Sequence, residues 1–133
     1  MTDETIKIEC RSVSKVFKQR GGKVQIPVLN SISLSVVENE FLVIVGPGQC
    51  GKTTLLRIIG GLETPTTGSV LLDGKEVSGP GPDRGMVFQK YTLFPWKTVM
   101  GNVEMGLKLG GMSKQRRREV ASHYINLVGL QGF

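Results

Sequence analysis

The stretch "VIVGPGQCGKTTLL", Val43 to Leu56, decides how this chain folds. The apolar run Phe41–Val45 enters a Gly/Pro loop that ends in Gly51-Lys52-Thr53, and the frame is G-x-x-x-x-G-K-[ST], a phosphate cradle. Glycines at 46, 48 and 51 let backbone N–H groups turn inward with no Cβ in the way. A helix starting near Lys52 points its positive end at the same place. Lys52 is a point charge for the β- and γ-phosphates, and the Thr53 hydroxyl is the right length to ligand Mg²⁺. The candidate binding set is Gly46, Pro47, Gly48, Gln49, Cys50, Gly51, Lys52, Thr53 and Thr54. A chance match in a glycine-rich chain is the rival reading. The match sits between an apolar strand pattern and an amphipathic helix pattern, the context the motif requires.

Working outward, "FLVIV" does not alternate, so it reads as a strand covered on both faces, as in a parallel sheet. "KTTLLRII" places Leu55, Leu56, Ile58 and Ile59 on a helix that Gly60-Gly61 ends. Upstream, Ile6–Val13 reads as a strand, Gly21-Gly22 as a turn, and Val28–Val37 as a half-buried strand with alternating apolar and small polar residues. Downstream, "SVLLDGKEV" is a hairpin turning at Asp73-Gly74. "GMVFQ", Gly85–Gln89, reads as a second buried strand. After an aromatic loop, one helix spans about Val99 to Leu109. A second starts near Ser113, with Val120, Ala121, Tyr124, Ile125 and Val128 on one face. Asp73 could be mistaken for a magnesium-binding acid ending a strand, but Asp-Gly between "VLL" and "KEV" is turn chemistry.

A chain of 133 residues with 39% hydrophobic and 21% charged residues can bury a core as one domain. The formal net charge of +6 permits an anionic ligand or surface without selecting one. Two cysteines, Cys10 and Cys50, give neither a disulfide framework nor a zinc spacing, which suits a reducing compartment. The opening "MTDETIKIEC" shows no signal peptide, and no run reaches the roughly 18 apolar residues of a membrane span. His123 reads as a surface residue, and the basic run Lys114, Arg116, Arg117, Arg118 as a solvated face or a phospholipid or partner contact.

Three further stretches carry a resemblance: "VSKVF" (Val13–Phe17), "GLETPTTGSVLLDGKEV" (Gly61–Val77) and "DRGMVFQKYTLFPWKTVMGNV" (Asp83–Val103). With the cradle, and in this order, they closely resemble the ATP-binding subunit of ABC transporters. The wording "FPWKTV" resembles importers of nitrate, sulfonate or taurine type. The resemblance covers nearly the whole chain and implies ATP and Mg²⁺ as cofactors. It implies that Phe17 stacks on adenine, that Gln89 touches Mg²⁺ and the attacking water, and that the metal is held by Thr53 and Gln89. It further implies that Lys90–Thr98 faces a membrane-spanning permease subunit, and that a second ATP-binding subunit completes a dimer at the cytoplasmic face of the inner membrane. No nucleic acid is implied. By residue type alone, Phe17 is also readable as a core aromatic, Gln89 as a strand-end polar residue, and Phe94 and Trp96 as local packing. The chain departs from the family at Gly48-Gln49, where Ser-Gly is usual.

No "LSGGQ"-like signature, no apolar strand ending in Asp-Glu and no histidine after it is present. The sequence therefore resembles the first half of such an ATPase. The expected fold is α/β: a truncated P-loop NTPase core with an antiparallel β portion over residues 1–92, and the start of a helical subdomain over 93–133. The expected activity is ATP binding, in a family whose members couple ATP hydrolysis to transport. The alternatives are a non-catalytic nucleotide-binding remnant and another P-loop NTPase such as a kinase. A GTPase would need a guanine-reading N-K-x-D motif, which is not present.

Overall fold

The computed structural model describes residues 5–19, 21, 24–90 and 92–133. Gly22, half of the expected Gly21-Gly22 turn, and Tyr91 lie outside the described residues. The chain divides into two compact units, Met1–Met86 and Val87–Phe133.

The first unit is built on two long strands, β1 (Ile6–Lys18) and β2 (Gln25–Val37), paired antiparallel. Both outrun the stretches that alternation marks out. The ladder is interrupted where Ser12 and Ser31 take left-handed backbone angles, φ 48° and 50°. Serine hydroxyls take up amides there: Ser12 N donates to Ser33 Oγ and Ser31 N to Ser14 Oγ, each at 2.9 Å. A short polar side chain can thus substitute for a ladder partner and let a strand continue through a bulge. Strand β3 (Thr67–Leu72) pairs with the other edge of β1, and β4 (Lys75–Glu76) closes the hairpin, giving the antiparallel order β2-β1-β3-β4. Asp73 and Gly74 both have positive φ, 50° and 73°, the geometry of a tight two-residue hairpin turn. The Asp73 carboxylate is paired with Lys7 at 2.9 Å, so it is occupied in the sheet.

Helix α1 (Lys52–Ile59) packs its buried Leu55 and Ile58 on Cys10, Val13, Leu29 and Val70. Apolar spacing of three residues puts both side chains on the sheet-facing stripe. Burial pushes the Cys10 thiol up from its ordinary pKa and leaves it a core residue.

Two expected strands are not formed. Phe41–Val45 joins no ladder, with Phe41 91% and Val45 87% exposed, and only Ile44 leans on the core. Gly85–Gln89 is also irregular, and Val87 is fully exposed. An unbroken apolar run records burial on two faces, which requires strands on both sides. Among the described residues no strand lies beside either run, and an unpaired strand has no hydrogen-bonded form to adopt.

The second unit pairs helices α2 (Val99–Leu109) and α3 (Lys114–Leu127). Thr98 and Ser113 cap them by accepting from Gly101 N and Arg116 N, each satisfying one otherwise free amide. Ala121 and Ile125 are buried, whereas Tyr124 and Val128 of the expected apolar face are exposed. Glu104 of α2 takes Arg117 Nε at 3.1 Å and Arg118 Nε at 3.5 Å. Two cations of the basic run are therefore tied to α2, a correction to the reading of that run as a solvated face. Among the described residues no helix is long and apolar enough to cross a membrane.

Candidate functional site

The cradle is a loop closed around its own lysine. Lys52 Nζ donates to the carbonyl oxygens of Gly46 at 2.7 Å and Pro47 at 2.6 Å, and lies 3.3 Å from Cys50 Sγ. Helix α1 begins at Gly51, whose φ of 97° only glycine adopts freely. A Cβ on Gly51 would also come within 2.8 Å of Leu29 Cδ2 and 2.9 Å of the Val28 carbonyl. This close approach seats the helix start directly on β2. No side chain caps the first turn of α1, and no acidic residue lies in it. Its amides and its positive end are left for an anion.

A triphosphate fits the residues present. A Cβ on Gly46 would stand 3.0 Å from Cys50 Sγ and 4.0 Å from Lys52 Nζ, filling the concavity that the ammonium shares. Thr53 is exposed in the first turn of α1, where one hydroxyl, phosphate oxygens and waters make the oxygen set a hard divalent cation takes. Gln49 departs from an ordinary backbone: it is exposed at φ 65°, a region that suits glycine and is costly for a Cβ-bearing residue.

Phe17 lies near the end of β1 and is 38% exposed. Lys15, two residues earlier, pairs with Leu29 of β2, the residue beneath Gly51. At about 3.3 Å of rise per residue, Phe17 is then some 7 Å further along β1, a separation of nucleotide scale. Gln89 is exposed at a bend in the second unit.

Two features escape a reading by motif. Lys15 Nζ sits 5.0 Å from the centre of the Phe17 ring and bonds Glu63 Oε1 and the Thr64 carbonyl, both at 2.6 Å. That ammonium holds the Glu63 carboxyl below the usual carboxylate range. In the second unit, Asn102 latches the aromatic loop. Its Oδ1 accepts from Phe94 N at 2.8 Å, and its Nδ2 donates to the carbonyls of Phe94, Lys97 and Thr98. Phe94 and Trp96 meet at 5.5 Å between ring centres, and Trp96 stays 76% exposed. The signal for Asn102 was an amide side chain one turn past a Thr N-cap, able to reach back. Lys15 and Glu63 are 48 residues apart and leave no local signal.

Known proteins share this arrangement. The chain matches the ABC transporter family over residues 29–133. It is 56% identical over 128 residues to an uncharacterized ABC transporter ATP-binding protein of Methanocaldococcus jannaschii, covering 96% of this chain and 47% of that one. With the nitrate import ATP-binding protein NrtD of Synechocystis it shares 48% over 126 residues, 95% of this chain and 47% of the relative. It superposes with a TM-score of 0.77 and 34% identity on a dimeric ATP-binding cassette in a post-hydrolysis state bound to ADP and Pi, covering 90% of this chain and 56% of that chain. The chain spans about half the length of the curated relatives it matches. The α/β fold with its antiparallel portion is that of the ABC ATPase cassettes. The cradle, the sheet that carries it and the match over residues 29–133 agree: this chain belongs to the ABC transporter family.

Proposed function

We propose that this chain binds ATP with Mg²⁺ as part of the ATPase subunit of an ABC-type importer of the nitrate, sulfonate or taurine class. The observation that carries the reading is the cradle itself: Lys52 held between the Gly46 and Pro47 carbonyls at an uncapped helix start. Lys52 and the first-turn amides of α1 bind the phosphates, the Thr53 hydroxyl holds the metal, and the exposed ring of Phe17 stacks on adenine. Stacking of a base on an aromatic ring contributes about 1–3 kcal/mol. Gln89 is assigned as the residue that senses metal and water. The aromatic loop within Lys90–Thr98, with Trp96 exposed and its backbone fixed by Asn102, is assigned to a membrane-spanning permease. An exposed aromatic cluster on a latched loop suits a partner surface. Such a subunit would act at the cytoplasmic face of the membrane, paired with a second ATP-binding subunit.

Titration with a fluorescent ATP analogue tests the binding reading. Lys52→Ala removes a charge-assisted contact and is expected to weaken binding at least tenfold. Unchanged affinity would overturn the site.

A further inference from the structure

Phe17 has two faces, and one of them is taken. The ammonium of Lys15 stands over the ring at 5.0 Å from its centre. A cation at that distance is attracted by the negative face of the ring. Lys15 is not a loose surface side chain: it is 12% exposed. Its ammonium is drawn to one place by the Glu63 carboxylate and the Thr64 carbonyl.

Those two acceptors are themselves fixed. Thr66 N donates to the Ser14 carbonyl at 2.8 Å, and Thr66 Oγ1 accepts from Val16 N at 3.0 Å. The segment after α1 is thereby stitched to β1 on either side of Lys15. The same strand presents Lys15 and Phe17 two residues apart, on one face of the pleat. The ring is thus bracketed from behind by a charge that the backbone holds still.

We propose that Lys15 is a positioning residue for the base platform: backed by Glu63 and Thr64, it fixes the Phe17 ring so that the opposite face receives the adenine. The inference rests on the reading that Phe17 stacks on the base. A cation behind the ring does two things. It holds the ring against rotation, so less freedom is lost when the base arrives. It also withdraws electron density from the opposite face, which favours contact with an electron-rich purine. Lys15 itself touches no part of the nucleotide in this arrangement.

The test is calorimetric titration of the 133-residue chain with two probes, MgATP and magnesium tripolyphosphate, which has the phosphates but no base. Lys15→Met keeps the apolar stem and removes the charge. It is expected to weaken MgATP about three- to tenfold, within the range that cation–π contacts span, and to leave tripolyphosphate unchanged. Lys15→Arg, which keeps a cation able to lie on the ring, should restore MgATP affinity to within about twofold of the wild type. In a Phe17→Ala background, Lys15→Met should have no further effect. If Phe17→Ala weakens MgATP but Lys15→Met does not, the positioning role is wrong and base stacking stands. If Phe17→Ala itself changes nothing, base stacking is wrong and the positioning role falls with it. Equal weakening of both probes by Lys15→Met would make Lys15 a support of the cradle rather than of the platform, and would also overturn the proposal.

Discussion

Gln49 offers the sharpest test of the loop geometry. It is exposed and takes φ 65°, where a Cβ crowds the following carbonyl at a cost of about 1–2 kcal/mol. Glycine at that position removes the clash but gives the unfolded chain more freedom, a loss of about 0.4–1 kcal/mol. The difference leaves Gln49→Gly more stable by about 0.5–1 kcal/mol, a rise of roughly 2–5 °C in melting temperature for a chain of this size. Gln49→Ala retains the Cβ and the clash, and should melt within about a degree of the wild type. The neighbouring glycine makes the converse case. Gly48 does not have a left-handed φ, and a Cβ there would meet nothing within 4 Å. Gly48→Ala should therefore be tolerated or stabilise by a few tenths to one kcal/mol through the unfolded state. Thermal melts of the three variants, followed by circular dichroism, decide it. Gln49→Gly melting at or below the wild type would refute the strain argument.

Other outcomes follow from the ion pairs and from what the cradle contains. Glu104→Ala leaves the largely buried Arg117 without its partner between α2 and α3 and should destabilise that helix pair by about 1–3 kcal/mol in urea unfolding, whereas Arg116→Ala, at an exposed pair, should stay within about 0.5 kcal/mol. Lys15 lowers the folded pKa of Glu63, so the stabilisation from this pair is present above the ordinary carboxylate pKa of about 4.3 and lost as pH falls through the depressed folded value. Melts between neutral pH and pH 3 should fall more steeply in the wild type than in Glu63→Gln, and parallel curves would exclude the contribution. The 133-residue polypeptide should release phosphate from ATP far below the 1 s⁻¹ at the low end of typical enzyme turnover, roughly, because the residues read here supply charge neutralisation but no carboxylate to orient water. Turnover near that value that disappears in Lys52→Ala would show that an unrecognised acid does the chemistry.

The parts of the fold that were legible in sequence are the parts with local causes. Asp73-Gly74 turns because two adjacent residues tolerate positive φ, and Ser113 and the Gly60-Gly61 pair bound their helices through backbone groups within one turn. Phe41–Val45 failed for the opposite reason: its five apolar side chains encode neighbours, not a conformation, and no ladder partner lies beside it among the described residues. Within the candidate site, Gly51, Lys52 and Phe17 stand out in the sequence by motif and resemblance. Lys15 with Glu63, and Gln49 at positive φ, do not. The first pair is joined only by the fold, and the second stands where a motif reading expects a small residue, so its backbone angle had to be seen. The basic run was misread because the charge of Glu104, ten residues before Lys114, is invisible until α2 and α3 pack.

The two sides of the cradle are held unequally, and this bears on how it binds. On the far side, Gly51 is pressed on β2, and Leu55 and Ile58 anchor α1 in the core. On the near side, Phe41–Val45 is supported at Ile44 alone. The amides assigned to phosphate belong to the start of α1, the anchored side, so their direction is set by the core packing of that helix. The Gly46 and Pro47 carbonyls belong to the less supported side, and the Lys52 ammonium bonds them both. Lysine thus ties the loose half of the loop to the firm half. On the proposed reading, an arriving phosphate would compete with those carbonyls for the same ammonium and would gain the first-turn amides, which no side chain caps. The charge that would bind phosphate on that reading thus holds the loop closed on its own oxygens until a ligand competes for it.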